Sequence, residues 1–161
     1  MEPYWPAGLT LLLVIGAIMD IKERRLPNWL ALVLFVYGLA FAFIDAGLAN
    51  LGSHAAHAVI ALLVGMGLFA IGAFGGGDAK FYAGTAAFFP LGMGIKLFVS
   101  VAIIGGILVI IWMIGRRLPG IAKPKEERTK GQFPYGVAIA SGAIALVWST
   151  YLTQPPLPGL Q

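Results

Sequence analysis

Apolar residues along this chain form long runs, and short clusters of charged residues, glycine or proline separate one run from the next. A helix needs about 20 mostly apolar residues to cross the hydrocarbon core of a bilayer. Six segments reach or approach that length: 5–20, 29–49, 54–74, 79–92, 96–115 and 134–152. The pattern predicts an all-α, polytopic membrane protein with about six transmembrane helices, short loops and a single domain over residues 1–161.

Composition excludes the soluble alternatives. Hydrophobic residues make up 59% of the chain and charged residues 11%, against about 45–50% and about 25% in an average soluble domain. A soluble globular enzyme is therefore excluded. The chain has no cysteine, which also excludes disulfides, thiolate metal sites and cysteine nucleophiles. Any catalysis must use other side chains.

The positions of lysine and arginine predict the topology. If all six segments cross, the stretches 20–28, 75–80 and 116–133 share one side, and they hold ten of the eleven Lys and Arg residues. The positive-inside rule makes that side cytoplasmic and places both termini outside. We expect 116–133 to be a cytoplasmic loop. The first segment lacks a basic start and a small-residue cleavage site, so we expect it to be retained as a span.

Two acidic residues, Asp20 and Asp78, are expected at the cytoplasmic ends of helices. Acidic residues within a membrane segment are candidates for function by default. A purely structural interpretation is also open, in which Asp20 ends one helix and Asp78 caps the next. The run Gly75–Gly77 directly before Asp78 favours function, because glycine gives the backbone freedom and allows close approach.

Two carboxylates at the same depth can share one site. When they approach closely they cannot both be ionised, so the pair holds one proton between them. The ionised member can then activate a water molecule, and the neutral member can protonate a carbonyl oxygen or a leaving nitrogen. This is the chemistry of an aspartic peptidase.

Three blocks of sequence carry a resemblance to a known family. They are Asp20 followed by Arg24-Arg25-Leu26-Pro27-Asn28, then Gly75-Gly76-Gly77-Asp78-Ala79-Lys80, and Pro134-Tyr135-Gly136. With these blocks the chain resembles the type IV prepilin peptidases, which are membrane aspartic peptidases of the GxGD kind. The resemblance implies that Asp20 and Asp78 are the catalytic pair. They would cut prepilin leaders at the cytoplasmic face of the bacterial inner membrane, just before the hydrophobic segment.

The same resemblance implies the rest of the site and its partners. The supporting or substrate-region residues would be Gly75, Gly77, Lys80, Pro27, Asn28, Pro134, Tyr135 and Gly136. The partners would be membrane lipid and a prepilin or pseudopilin with its leader and adjacent hydrophobic helix, without nucleic acid, cofactor or metal. Longer members carry a cysteine-containing region and also methylate the new amino terminus. This chain resembles the short form associated with tight-adherence pili, and methylation is not expected.

Several residues near the acids have simpler physical interpretations. Pro27 fixes a turn, while Asn28 caps the second span or bonds the loop. Lys80 either contacts a carboxylate or substrate, or anchors the helix end among lipid headgroups. Prepilin leaders are commonly basic, so the acids Glu23, Glu126 and Glu127 are weak candidate contacts. His54 and His57 are three residues apart at the outer end of the third span without a third ligand nearby, so we expect interfacial residues instead of a metal site.

Two other functions remain open at the level of sequence. Intramembrane acids and helix-breaking glycines also mark the paths of small proton-coupled or ion-coupled transporters. However, we find no similarity between the first three and the last three spans, and both acids lie at one face. The other candidate is a non-catalytic membrane scaffold, in which the aspartates act only as caps and asparagine would replace them with little effect.

Overall fold

The computed structural model describes residues 2–115 and 134–153. The predicted cytoplasmic loop 116–133, with Glu126 and Glu127, lies outside this part of the chain. The described elements are α1 (Tyr4–Glu23), α2 (Asn28–Ala70), α3 (Gly76–Ala86), a 3₁₀ turn (Leu91–Met93), α4 (Gly94–Gly115) and α5 (Tyr135–Thr153). No strand occurs in these two ranges. The prediction of an all-α protein is confirmed.

Five helical segments in the described ranges are long and apolar enough to cross a membrane. They are Tyr4–Glu23, Asn28–Asp45, Gly47–Ala70, Leu91–Gly115 and Tyr135–Thr153. Large apolar side chains such as Leu63, Ile95 and Ile111 are exposed on their outer faces, as expected where lipid surrounds a bundle. The chain is therefore a multi-pass membrane protein.

Helix α2 contains 43 residues and reverses direction along its length. A straight helix of that size would extend about 65 Å, about twice the thickness of the hydrocarbon core. Gly47 has a φ of +66°, a left-handed conformation that glycine adopts readily. The rings of Phe41 and His54 lie 6.1 Å apart on the two sides of this bend. The bend separates a first arm, Asn28–Asp45, from a second arm, Gly47–Ala70.

The predicted helical span over 79–92 is wrong, because the helix in this region starts and ends earlier. α3 covers Gly76–Ala86, 11 residues, and the segment after it forms tight turns. The N–H groups of Phe88 and Phe89 donate to carbonyls three residues earlier. Pro90 then stops the helix, because proline lacks the N–H group and disfavours helical backbone in the preceding residue. The helix is therefore too short to cross a bilayer alone.

Contacts between the helices fix their directions. The first arm of α2 runs parallel to α3, since Asn28 bonds Lys80 and Gly38 lies against Ala87. α5 packs between α1 and α4 and is antiparallel to both. Trp148 donates its indole N–H to Thr10 at one end of the α1–α5 pair. At the other end, Gly136 lies against Asp20.

Candidate active site

Asp20 lies in the buried stripe of α1, which consists of Pro6, Leu9, Leu13, Gly16 and Asp20. These residues repeat at intervals of three and four, so they share one helix face. Asp20 occupies the position where a further leucine would continue the core, and its side chain is 7% exposed. A buried carboxylate requires a hydrogen-bond partner. The partner comes from the start of α5.

The backbone N–H of Gly136 donates to Oδ2 of Asp20 over 2.7 Å. Gly136 is in the first turn of α5, where N–H groups lack partners within their own helix and the helix dipole favours a negative charge. α1 itself continues to Glu23, so Asp20 does not end its own helix. The structure instead uses Asp20 to cap a helix that lies 116 positions further along the chain.

Asp78 lies in the first turn of α3, at the same end of the bundle as Asp20. The N-cap residue of α3 is Gly75, and Asp78 is the third helical residue. The interpretation of Asp78 as the N-cap is therefore wrong. Burial, together with the nearby Asp20 carboxylate, raises the pKa of the Asp78 carboxyl to about 6, although a backbone hydrogen bond from Gly75 acts in the opposite direction. The two carboxylates therefore interact electrostatically.

Gly75 and Gly136 leave room for the two carboxylates. A Cβ atom on Gly75 would collide with Oδ2 of Asp78, and one on Gly136 would lie 2.8 Å from Oδ2 of Asp20. We expected the run Gly75–Gly77 to give backbone freedom and close approach. Close approach is confirmed at Gly75, but no positive φ is used there, because in the described ranges only Gly47 and Gly72 among the glycines have positive φ and Gly75 is extended with φ −77°.

The other predicted supporting residues surround this pair at the same end of the bundle. Lys80 donates to Oδ1 of Asn28 over 3.0 Å at an exposed position, which joins α3 to the start of α2. Pro27 is the N-cap residue of α2 with φ −72°, as proline requires. Asn28 is the first residue of α2 and therefore does not cap it. A Cβ on Gly77 would make ordinary contact with Leu26.

Tyr135 and Phe74 form an aromatic contact between the start of α5 and the segment before α3. Their ring centroids lie 5.7 Å apart, and each residue directly precedes one of the two glycines described above. Pro134 starts α5 by accepting a hydrogen bond from the N–H of Val137. Sequence reasoning missed Phe74, although its position directly before the glycine run was a usable signal.

An apolar groove of about 720 Å³ begins at this aromatic pair and extends along the bundle between α2, α4 and α5. Phe74 and Tyr135 line its end near the acids, and His57 and Leu91 line its opposite end. Small residues such as Ala102 and Gly106 of α4 also line it. Small residues permit close approach of a second helix in a membrane.

His54 and His57 lie at the opposite end of α3 from the acids. Both are buried within the bundle. Each contacts a backbone carbonyl with its Nδ1 atom. Within residues 2–115 and 134–153, no group of three or more metal-ligating side chains occurs.

The geometry supports proton exchange at a buried position. A carboxylate held by an N–H group and a second carboxyl with a raised pKa are the two groups that acid–base catalysis requires. A comparison of the sequence with known protein families shows that residues 7–110 match the type IV leader peptidase family. This segment contains Asp20 and Asp78 and covers more than half of the chain. No curated protein and no solved structure matches the chain significantly.

Proposed function

Because this chain belongs to the type IV leader peptidase family, we propose that it is an aspartic endopeptidase that removes leaders from prepilin-like substrates. The observation that carries this proposal is the pair of acids at one end of the bundle, where burial and the neighbouring Asp20 together raise the pKa of Asp78. The matched family segment contains both residues. We propose that the reaction takes place at the cytoplasmic face of the bacterial inner membrane.

The proposed reaction assigns a different role to each carboxyl. Asp20, held by the N–H of Gly136, acts as the ionised base and removes a proton from a water molecule between the acids. The water oxygen attacks the scissile carbonyl carbon, while protonated Asp78 donates to the carbonyl oxygen. Collapse of the tetrahedral intermediate breaks the C–N bond as Asp20 gives its newly acquired proton to the leaving nitrogen and Asp78 takes a proton back from a hydroxyl of the intermediate, which restores both carboxyls. The two acids together supply the base and the acid that hydrolysis needs.

The proposed substrate has a leader followed by an apolar helix. The groove between α2, α4 and α5 supports this choice, because it begins beside the acids at Phe74 and Tyr135 and is lined by apolar residues. An apolar segment that follows the scissile bond would continue from the acids into this groove. We propose that the segment occupies it as a helix, packed against the small residues of α4.

The test is the processing of a candidate prepilin co-expressed with the wild type, Asp20→Asn or Asp78→Asn. We expect the wild type to produce a leader-sized shift on a gel and both variants to produce none, although both still insert. A prepilin with polar residues in place of its apolar segment should also remain uncut. Near-wild-type processing by either asparagine variant would refute the proposal and favour the scaffold, because asparagine caps a helix nearly as well as aspartate.

A further inference from the structure

Two buried histidines of α2 hold the segment that follows α3. His54 is 1% exposed and His57 is 4% exposed. Nδ1 of His54 lies 2.9 Å from the carbonyl oxygen of Ala87, and Nδ1 of His57 lies 2.9 Å from that of Phe89. A carbonyl oxygen can only accept a hydrogen bond, so each Nδ1 carries a hydrogen and donates it.

A third bond from α2 completes the arrangement. The N–H of Leu91 donates to Oγ of Ser53 over 3.0 Å. Ser53, His54 and His57 therefore bond three backbone groups within residues 87–91. We refer to these three side chains as the α3 clamp.

The clamp supplies hydrogen-bond donors to carbonyl groups that are left without helical partners because α3 ends early. The last carbonyls of any helix lack partners within that helix, and Pro90 prevents the chain from continuing in helical form. In a membrane bundle, water is scarce and an unsatisfied carbonyl is costly. The histidines provide two of the missing donors from a neighbouring helix.

Asp78 lies on the same short helix that the clamp bonds at its far end. α3 is a short rod, and Ala87 lies about 14 Å along the helix axis from Asp78. A sliding movement at one end of a rigid helix displaces the other end by the same amount. Along α3, Gly65 lies against Ala79 and Gly84 lies against Ala31, so these contacts contribute no large side chain that would interlock the two helices.

We propose that Ser53, His54 and His57 are positioning residues that fix the axial position of α3 and thereby the approach of Asp78 to Asp20. Their effect on catalysis rests on the proposed function, whereas the role of their hydrogen bonds in fixing the position of α3 does not depend on it. They touch neither acid, so any effect they have on the two acids passes through α3.

A disulfide can report the position of α3 without any activity assay. A Cβ on Gly77 would lie 3.5 Å from Cβ of Leu26, which is within the range of disulfides. The chain has no cysteine of its own, so Leu26→Cys with Gly77→Cys forms a single reporter pair. We expect His54→Leu and His57→Leu to slow disulfide formation in this background. Val59→Leu, at an exposed position of the same helix arm, is the matched control and should leave the rate unchanged.

Cleavage by the clamp variants, in the chain without added cysteines, gives the second measurement. His54 does not line the groove, so it is the residue for this measurement. Because a misplacement of about 1 Å can cost about 100-fold in rate, we expect His54→Leu to lower kcat by up to that factor with KM nearly unchanged. His54→Asn places an amide N–H near the Nδ1 position and should restore most of kcat. His54→Gln carries the same group one methylene further out and should not.

The outcomes separate the two proposals. Wild-type rates of disulfide formation in inserted His54→Leu and His57→Leu variants would overturn the positioning role. If the leucine variants fail to insert, equal disulfide rates and equal kcat in the asparagine and glutamine variants would overturn it. If disulfide formation slows but the wild type cleaves no prepilin-like substrate, the hold on α3 stands and the proposed function fails.

Discussion

At the scale of single residues, each aspartate at the site occupies space that a glycine from a neighbouring turn or helix leaves free. Gly136 has no side chain and so leaves room for Asp20, to which it also donates its N–H. Gly75 in the same way makes room for the carboxylate of Asp78. Glycine at position 75 is needed for space and not for an unusual φ, because its backbone is extended. The positions of the two carboxylates therefore depend on residues that carry no side chain.

Gly136→Ala should abolish most of the cleavage activity without unfolding the bundle. The added Cβ would lie 2.8 Å from Oδ2 of Asp20, so the carboxylate must move and lose its bond to the N–H group. Losing a hydrogen bond to a charged group costs about 1.5–3 kcal/mol, and misplacing a catalytic group by about 1 Å can cost about 100-fold in rate. The measurement is kcat of the purified variant.

Gly67→Ala is the matched control for that substitution, because nothing lies within 4 Å of the Cβ that it would add and Gly67 does not line the groove. It should retain the wild-type rate. Equal rates for Gly136→Ala and Gly67→Ala would show that the contact between Gly136 and Asp20 is irrelevant to cleavage.

The pH profile should show a loss of activity on the alkaline side. The raised pKa of Asp78, about 6, means that its proton remains bound up to about that pH and is lost above it. If protonated Asp78 is the acid, kcat/KM should fall about tenfold per pH unit above this value. The apparent pKa of that limb belongs to the coupled pair. A profile that stays flat from pH 5 to pH 8 would contradict the role of Asp78 as the acid.

Some of this site could be predicted from sequence and some could not. Asp20 follows the buried stripe of α1 at its regular spacing, so its burial was predictable from periodicity. The bond between Asp20 and Gly136 was not, because 116 positions separate the two residues and local patterns contain no information on such contacts. Asp78 was correctly placed near a helix start, but the pattern could not distinguish the N-cap from the third helical residue.

At the scale of elements, the short helix α3 depends on α2 for its position. Hydrophobic runs predicted the helices of this region, but they did not reveal the bend at Gly47 or the early end of α3. Runs report apolar composition, whereas the bend depends on one left-handed glycine and the helix end on turns before Pro90. α3 lies against α2 with glycines at three contact positions: Gly38, Gly65 and Gly84.

Gly38→Ala should weaken the α2–α3 contact strongly. A Cβ at this position would lie 2.5 Å from backbone atoms of Ala87 and Phe88, and backbone cannot rotate away as a flexible side chain can. Overpacking of this kind costs about 1–3 kcal/mol, so the melting temperature in detergent should fall.

Gly52→Ala is the control on the same helix, because nothing lies within 4 Å of its added Cβ. Alanine favours helix by about 1 kcal/mol over glycine, so this variant should melt at or slightly above the wild-type temperature. If Gly38→Ala melts like Gly52→Ala, then the close α2–α3 contact at Gly38 contributes nothing to stability.

At the scale of the whole molecule, the acids and most of the basic residues in the described ranges lie at one end of the bundle. Lys22, Arg24, Arg25 and Lys80 are near Asp20 and Asp78 in sequence, whereas Lys96 starts α4 at the opposite end. The contacts between helices fix the helix directions. The end of α1 that carries Thr10 lies beside the end of α5 that carries Trp148. Which end faces the cytoplasm is predicted by the positive-inside rule.

Single cysteines can test that orientation, since the chain contains none. Arg25→Cys and Thr153→Cys are both exposed and lie at opposite ends of the bundle. We expect an impermeant thiol reagent to label Thr153→Cys in spheroplasts, and Arg25→Cys only after the membrane is opened. Labelling in the reverse order would place the acids on the outer side, where a cytoplasmic leader could not reach them.

The most direct test of the catalytic pair is the cleavage rate of purified Asp20→Asn, Asp78→Asn and the double variant on one prepilin-like substrate. Residues that act as one unit give effects that do not add. We expect each single variant to fall to the background rate and the double variant to be no slower than either. Measurable turnover in either inserted single variant, with a further loss in the double variant, would show that the two aspartates contribute independently and are not a catalytic pair.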